Sequence, residues 1–340
     1  MNGPTKGSVA LRRALIVAPL ALLLNACVRN APMDSFKPAG PQAQRIYDLS
    51  TPVFIIAGII FVLVEAAVVY ASLKFRDRGD AEDPKQIHGN NRLEVLWTII
   101  PALILLGVAI PTVKAVADLT TRPENGLQVE VTGHQWWFEY TYPDQAITTA
   151  NVLVIPAATP IDLVMTSADV VHSFWVPRLA GKRDVIPGQT TFLKLEADEP
   201  GEYWGQCAEF CGLSHAKMRI RVQVLTQIDF DAWALAQQQP AFEPTAGSTA
   251  AEGKDLFLGR GCVACHTIQG VSDIAATPAP DLTHLASRNV IAGASLDFTQ
   301  ADLHEWLADP PFVKPGSYMP NLGLTSEQID TLIAYLEILK

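Results

Sequence analysis

A chain of 340 residues is long enough for two or three domains, and its 49% hydrophobic content is high for a wholly soluble protein, so membrane segments come first in any search. With 25 basic against 35 acidic side chains the net charge is -10, which argues against nucleic acid as a partner and favours a basic protein. Five cysteines are an odd number for an exported chain, yet each has a use: Cys27 alone, Cys207 with Cys211, and Cys262 with Cys265.

The first predicted element is an export signal over 1–26, where Arg12 and Arg13 precede an apolar run, 14–26, too short to span a bilayer. The stretch Leu24-Asn25-Ala26-Cys27 is similar to a bacterial lipobox, which implies lipidation at Cys27. Asn25 stands where a small residue is usual, and the alternative is an uncleaved signal with a free Cys27. An outer segment, 27–48, leads into two apolar runs, 49–73 and 93–117, each long enough for a transmembrane helix. The loop between them, 74–92, holds Lys74, Arg76, Arg78, Lys85 and Arg92, and such basic flanks stay in the cytoplasm. Both ends of the hairpin therefore face outward, and all that follows lies on the periplasmic side of a bacterial inner membrane. Pro101 and Pro111 predict kinks in the second span. Two carboxylates stand out here. Glu65, in mid-span, faces a partner subunit or is merely paired; Glu94 begins the second helix, where a carboxylate is favourable by about 0.3–1 kcal/mol.

In a domain over 118–225 the pattern changes, from Leu127 to Leu225, to short alternating or β-branched runs such as LQVEVTGHQWWFEYTYP, IDLVMTS and MRIRVQVL, broken by Pro, Gly and Asp, which predicts an antiparallel sandwich. Its segment 203–218 reads YWGQCAEFCGLSHAKM and crowds Cys207, Cys211, His215 and Met218 into one loop. Thiolate, imidazole and thioether together suit copper, whereas zinc would want four strong ligands and calcium would want oxygens. A further imidazole is available at His172 in DVVHSFWVP, because a sandwich brings loops from one end together. Two thiolates this close can bridge two copper ions. The competing reading is a Cys207–Cys211 disulfide with Met218 in the core.

Residues 226–248 contain a short helical stretch that degrades into Gln, Pro, Ala and Gly, and read as a linker. A separate module, 249–340, carries Cys262-Val263-Ala264-Cys265-His266, the C-x-x-C-H pattern of covalent haem attachment, with His266 aimed at the iron. Met319 in KPGSYMPNLG is the expected second axial ligand and His284 in DLTHLASR the alternative; His304 reads as helix surface. Histidine with methionine raises a haem's reduction potential. A zinc half-site or a redox dithiol would need a second C-x-x-C or a βαβ pattern, and the sequence has neither. The module, closed by an apolar-periodic helix over 326–339 that should pack on its first helix, resembles a class I cytochrome c. Acidic residues outnumber basic ones in it, so the external donor is basic or there is none.

The pattern C-x-E-x-C-x-x-x-H-x-x-M after a distant histidine resembles the dinuclear copper A loop of subunit II of the haem-copper cytochrome c oxidases. E-x-x-W-T-x-x-P from Glu94, the run Gly133 to Phe138, and 169–188 are similar to the same subunit. Phe138 replaces a tryptophan, and Trp137 a tyrosine, common in its better-known members. The resemblance implies copper ligands His172, Cys207, Glu209 through its carbonyl, Cys211, His215 and Met218, with the Glu209 side chain facing a magnesium site shared with subunit I. It implies that electrons enter at Trp136, otherwise an ordinary core aromatic, and that Glu94 lies at the cytoplasmic mouth of a proton path. Arg178 and Asp184 would point toward subunit I.

The expected fold is a multidomain membrane protein: a two-helix transmembrane hairpin, a cupredoxin-like antiparallel β-sandwich and an all-α class I cytochrome c domain. The implied function is to take electrons from cytochrome c or another donor through haem c and copper A to subunit I. There oxygen is reduced to water with proton translocation, in a complex that includes subunit III. Three rivals remain at this point: a copper–haem carrier serving another acceptor, a membrane-anchored copper-delivery protein, and a quinol oxidase subunit II. The last has no reason to keep Cys207, Cys211 and the haem motif.

Overall fold

The computed structural model describes residues 31–76, 86, 88–272 and 279–340. The expected signal, Cys27, Arg78 and Lys85 lie outside them. Helix α1 (Pro41–Lys74) and helix α2 (Asn91–Thr120) form the hairpin. At 1.5 Å per residue α1 is about 51 Å long, well beyond the ~30 Å of bilayer hydrocarbon, so one end must stand in the aqueous layer. That end is its first turn, where Gln42 and Ala43 are buried. The turn is tied to the sandwich by main-chain bonds: Ala43 N–H donates to the Leu179 carbonyl at 3.1 Å, and Ala39 N–H to that of Arg178 at 2.7 Å. A Cβ at Gly40 would collide with the Glu196 carbonyl, so only glycine lets the chain pass here. The apolar windows of both helices are unburied within the chain, as expected for surfaces that meet lipid and other subunits. Arg122, just past α2, pairs with Asp162 of the sandwich and lies 4.1 Å over the Phe192 ring, fixing the second span to the same body.

Ten strands make the sandwich: β1 (Leu127–His134), β2 (Trp137–Tyr142), β3 (Ile147–Ala150), β4 (Val152–Pro156), β5 (Ile161–Ser167), β6 (His172–Trp175), β7 (Arg183–Val185), β8 (Thr191–Leu195), β9 (Gly201–Cys207) and β10 (Arg219–Leu225). One sheet runs β3-β2-β1-β5-β8 and the other β4-β10-β9-β6-β7. Most pairings are antiparallel, as the short-strand pattern predicts. β1 with β5 and β10 with β4 are parallel, because the chain changes sheets between the members of each pair. Val129, Val131, Phe138, Tyr140, Leu163, Ile220 and Val222 alternate inward to form the core. The β1–β2 turn, the start of β6, the end of β9 and the start of β10 all meet at one end, since Phe174 pairs with Cys207 and Gln206 with Arg219.

The first part of the predicted linker is an ordered helix, α3 (Gln227–Gln237), begun by the Thr226 hydroxyl accepting from Asp229 N–H. Its Phe230 is buried in the sandwich core, and Trp233 meets Tyr142 edge-on at 5.3 Å, so the helix belongs to the β domain. Among its described residues the C-terminal module adds to its helices a two-residue ladder, β11 (Val290–Ile291) with β12 (Leu296–Asp297), and an isolated bridge between Ile268 and Ser272. Its helices are α4 (Thr249–Gly259), α5 (Gln300–Ala308), α6 (Pro310–Val313) and α7 (Ser326–Leu336). The terminal helices α4 and α7 cross as expected, closely enough that a Cβ at Gly253 would strike the Thr331 carbonyl and lie 2.8 Å from Tyr335 Cβ.

Candidate metal centre and haem cavity

At the shared end of the sandwich, Cys207 and Cys211 hold their Sγ atoms 3.8 Å apart. That is far beyond the ~2.05 Å of a disulfide, yet below the ~4.6 Å that two ~2.3 Å thiolate–metal bonds can span. His172 Nδ1 lies 3.9 Å from Cys207 Sγ, His215 Nδ1 3.6 Å from Cys211 Sγ, and Met218 Sδ 3.9 Å from Cys211 Sγ. The donor atoms of His172, Cys207 and Cys211 all lie within 4.8 Å of one another. The Glu209 carbonyl approaches Cys207 Sγ at 3.3 Å. Both cysteines, His172 and Met218 are buried. Hydrogen bonding from the Cys211 thiol, above all, draws the Cys207 pKa down to about 4, while that same hydrogen bond to Cys207, followed by burial and the Cys207 charge, pushes Cys211 up. Such a pair keeps one proton until a cation replaces it. The donor set fits soft metal ions.

Sequence reasoning missed the residue that aims His172. Its Nε2–H donates to Asp169 Oδ1 at 2.8 Å, which leaves Nδ1 facing the sulfurs. Asp169 also accepts from the Gln135 and Val170 N–H groups, each at 2.6 Å. Burial works against its carboxylate, but the bonds from His172, Val170 and Gln135 outweigh it and lower the pKa. The D-x-x-H spacing was the available signal.

The second site is a cavity lined by Cys262, Cys265, His266 and Met319. A 3-10 turn over Cys262–Ala264 brings the two thiols to one wall. His266 Nδ1–H donates to the Pro280 carbonyl at 2.8 Å, which fixes the tautomer and leaves the Nε2 lone pair to ligate a metal. Burial, chiefly, lowers its pKa and keeps the imidazole neutral. His284 does not line the cavity; its Nε2 bonds the Gln239 carbonyl at 3.0 Å. Arg288 does line it, with buried Nε and Nη1 atoms that have no protein partner. A haem fits these residues, since its carboxylates would satisfy that guanidinium, and sequence reasoning offered no sign of Arg288.

The two sites share a wall. Trp136 is 6% exposed, its indole N–H donates to the Cys211 carbonyl at 2.9 Å, and it also lines the haem cavity. Gln135 Nε2 donates to the same carbonyl at 2.7 Å. Gly212, at φ +112, gives both side chains room, since a Cβ would lie 3.0 Å from Gln135 Nε2 and 3.1 Å from Trp136 Cζ2.

Comparison with known proteins settles the lineage. The chain matches the family models described as cytochrome C oxidase subunit II, periplasmic domain, over 145–225, and transmembrane domain, over 32–115; a cytochrome c model matches 250–340. It is 37% identical over 336 residues to cytochrome c oxidase subunit 2 of Alkalihalophilus pseudofirmus, covering 96% of this chain and 97% of that one. The chain belongs to the cytochrome c oxidase subunit II family. The subunit 2 of Bacillus sp. strain PS3 is 35% identical over 356 residues, 98% of this chain and 99% of the relative. Quinol oxidase subunit 2 of Bacillus cereus is 32% identical over 235 residues, only 67% of this chain and 80% of that one.

Within this subunit II the remaining predicted residues fall outside both sites. The Glu209 side chain is on the surface, 4.0 Å from Lys182, which is 3.6 Å from Asp184. Arg178 donates to the Lys37 carbonyl at 2.9 Å and so secures the segment before α1. Glu94 accepts from the Asn90 N–H at 3.3 Å, while Asn90 Oδ1 accepts from Arg92 and Leu93, a reciprocal cap on α2.

Proposed function

We propose that this subunit II takes electrons from a donor at its C-terminal module and hands them, through the copper loop, to subunit I. The observation that carries this is Trp136, which belongs to both sites: one ring lines the haem cavity and bonds the carbonyl of a copper-loop cysteine. Haem c and a dinuclear copper A centre, when bound, supply the one-electron chemistry. Cys262 and Cys265 would hold the haem covalently, and His266 and Met319 would bind its iron. His172, Cys207, the Glu209 carbonyl, Cys211, His215 and Met218 would hold the copper, with Asp169 orienting His172. Trp136 and Gln135, both bonded to the Cys211 carbonyl, fix the outer face of that loop.

The exposed Glu209 carboxylate is assigned to a magnesium ion shared with subunit I, and Glu94 to the cytoplasmic mouth of a proton path. Subunits I and III are the partners in the membrane, with a cytochrome c or another donor outside. Both water-facing domains are periplasmic on the positive-inside argument. Lipidation at Cys27 rests on the lipobox-like stretch alone. Burial of the sulfur ligands disfavours a copper-delivery role, which needs exchangeable donors.

The test is a rapid-mixing experiment on the assembled oxidase, with the haem reduced first and both chromophores followed. Haem oxidation matched in time by loss of the copper absorption is expected. Copper reduction that outpaces haem oxidation would overturn the order.

A further inference from the structure

Four consecutive residues, Val313 to Gly316, lie against the copper loop and end three positions before Met319. The Val313 carbonyl accepts from Lys217 Nζ, and the Pro315 carbonyl from the Ser214 hydroxyl at 2.7 Å. Between them Lys314 Nζ donates to the Trp136 carbonyl at 2.5 Å. Ser214 and Lys217 interleave with His215 and Met218, so the contact is between the two ligand-bearing loops themselves. Gly316, at φ +83, closes the run on the Trp136 ring, where a Cβ would stand 2.6 Å from Cη2.

Lys314 is the unusual member. It is 4% exposed, and its second acceptor is the Ala292 carbonyl at 2.8 Å, in its own module. Burying an ammonium is costly unless its N–H groups are bonded. Here the acceptors are two main-chain oxygens, one from each domain, so both bonds are made only when the domains are docked. The next residue after Ala292 continues the seam: the Gly293 carbonyl accepts from Arg219 N–H at 2.9 Å, directly after Met218. A side chain at Gly293 would collide with Lys314 and the Trp136 carbonyl.

We propose that residues 313–316 form a clasp that sets the Met319 loop against the copper loop, with Lys314 as its positioning residue, acting through Trp136. This rests on the electron path proposed above. A merely structural lysine would, when removed, cost haem or copper. A positioning lysine leaves both in place and slows passage between them.

The variants are made in the full chain and studied in the assembled oxidase. Lys314→Met should retain the copper resonance and haem absorption, slow haem-to-copper equilibration by about tenfold, the scale of one lost charged hydrogen bond, and speed hydrogen exchange at the Arg219 amide. Ser214→Ala, which buries no altered charge, should slow it by about threefold, as for a neutral bond. Unaltered rates in both variants with both centres intact would overturn the clasp. So would loss of a centre, or failure to assemble, in Lys314→Met if Ser214→Ala transfers at the normal rate. If the unmutated oxidase moves no electrons from haem to copper, the functional reading fails. The Arg219 exchange then judges the clasp separately, and exchange unchanged in both variants overturns it.

Discussion

At the scale of single residues the ligand-bearing loops were legible, because Cys207, Cys211, His215 and Met218 lie so close in sequence that chain connectivity brings them together. Lys314 was not, since its acceptor at Trp136 lies 178 positions away, nor was Arg288, whose unpartnered guanidinium matters only through the cavity it lines; Asp169 was missed although His172 stands three residues on. Asp169→Asn should leave the sulfurs in place but remove the charge that orients His172, weakening copper retention roughly 10–100-fold, as competition with a chelator would measure. His134 gives a pH test. It stacks on Trp137 at 4.2 Å, and burial, chiefly, lowers its pKa from 6.5 to about 4. The unfolded chain therefore binds a proton below about pH 6.5 that the folded chain refuses until about pH 4. Stability is lost as pH falls through that window, by on the order of 3 kcal/mol. Denaturant melts of the chain between pH 7 and 4.5 should show this slope, and His134→Gln should flatten it.

Among the elements, the hairpin helices and the terminal helices of the cytochrome module follow from apolar periodicity, but the first span, expected from 49, begins eight residues earlier at Pro41, because its polar first turn packs on the sandwich and carries no apolar signal. The two parallel strand pairs were not foreseen, because alternation reports which face is buried and says nothing of a neighbour's direction. Helix α3 was read as the start of a linker for a related reason: its composition is weakly helical, and burial of Phe230 and Trp233 against Tyr142 decides the matter. At the crossing of α4 and α7, Gly253 is required by approach rather than by backbone conformation. Gly253→Ala should force the helices apart and destabilise the module by about 1–3 kcal/mol. Unfolding followed by haem absorbance would show it as a lower midpoint, with the copper signal unchanged.

For the whole molecule, the sequence implied a haem module on a flexible tether, with an effective concentration of order mM. The structure shows it docked instead, with Trp136 beneath it and hydrogen bonds crossing the seam from the Arg219 N–H to the Gly293 carbonyl, from the Ser214 hydroxyl to the Pro315 carbonyl and from Lys314 Nζ to the Trp136 carbonyl. No local pattern could have announced this, since the contact joins residues near 136, 214–219, 292–293 and 313–316. Docking also covers Trp136, which is 6% exposed, so on the proposed path an external donor would meet the cytochrome module first. The proposed electron path depends on the sulfur pair holding two copper ions rather than one. Paramagnetic resonance of the oxidised, copper-loaded oxidase measures that directly. One unpaired electron shared equally by two copper nuclei is expected, and Cys211→Ser should abolish it. The hyperfine pattern of a single copper ion in the unmutated protein, or no copper signal at all, would contradict the account.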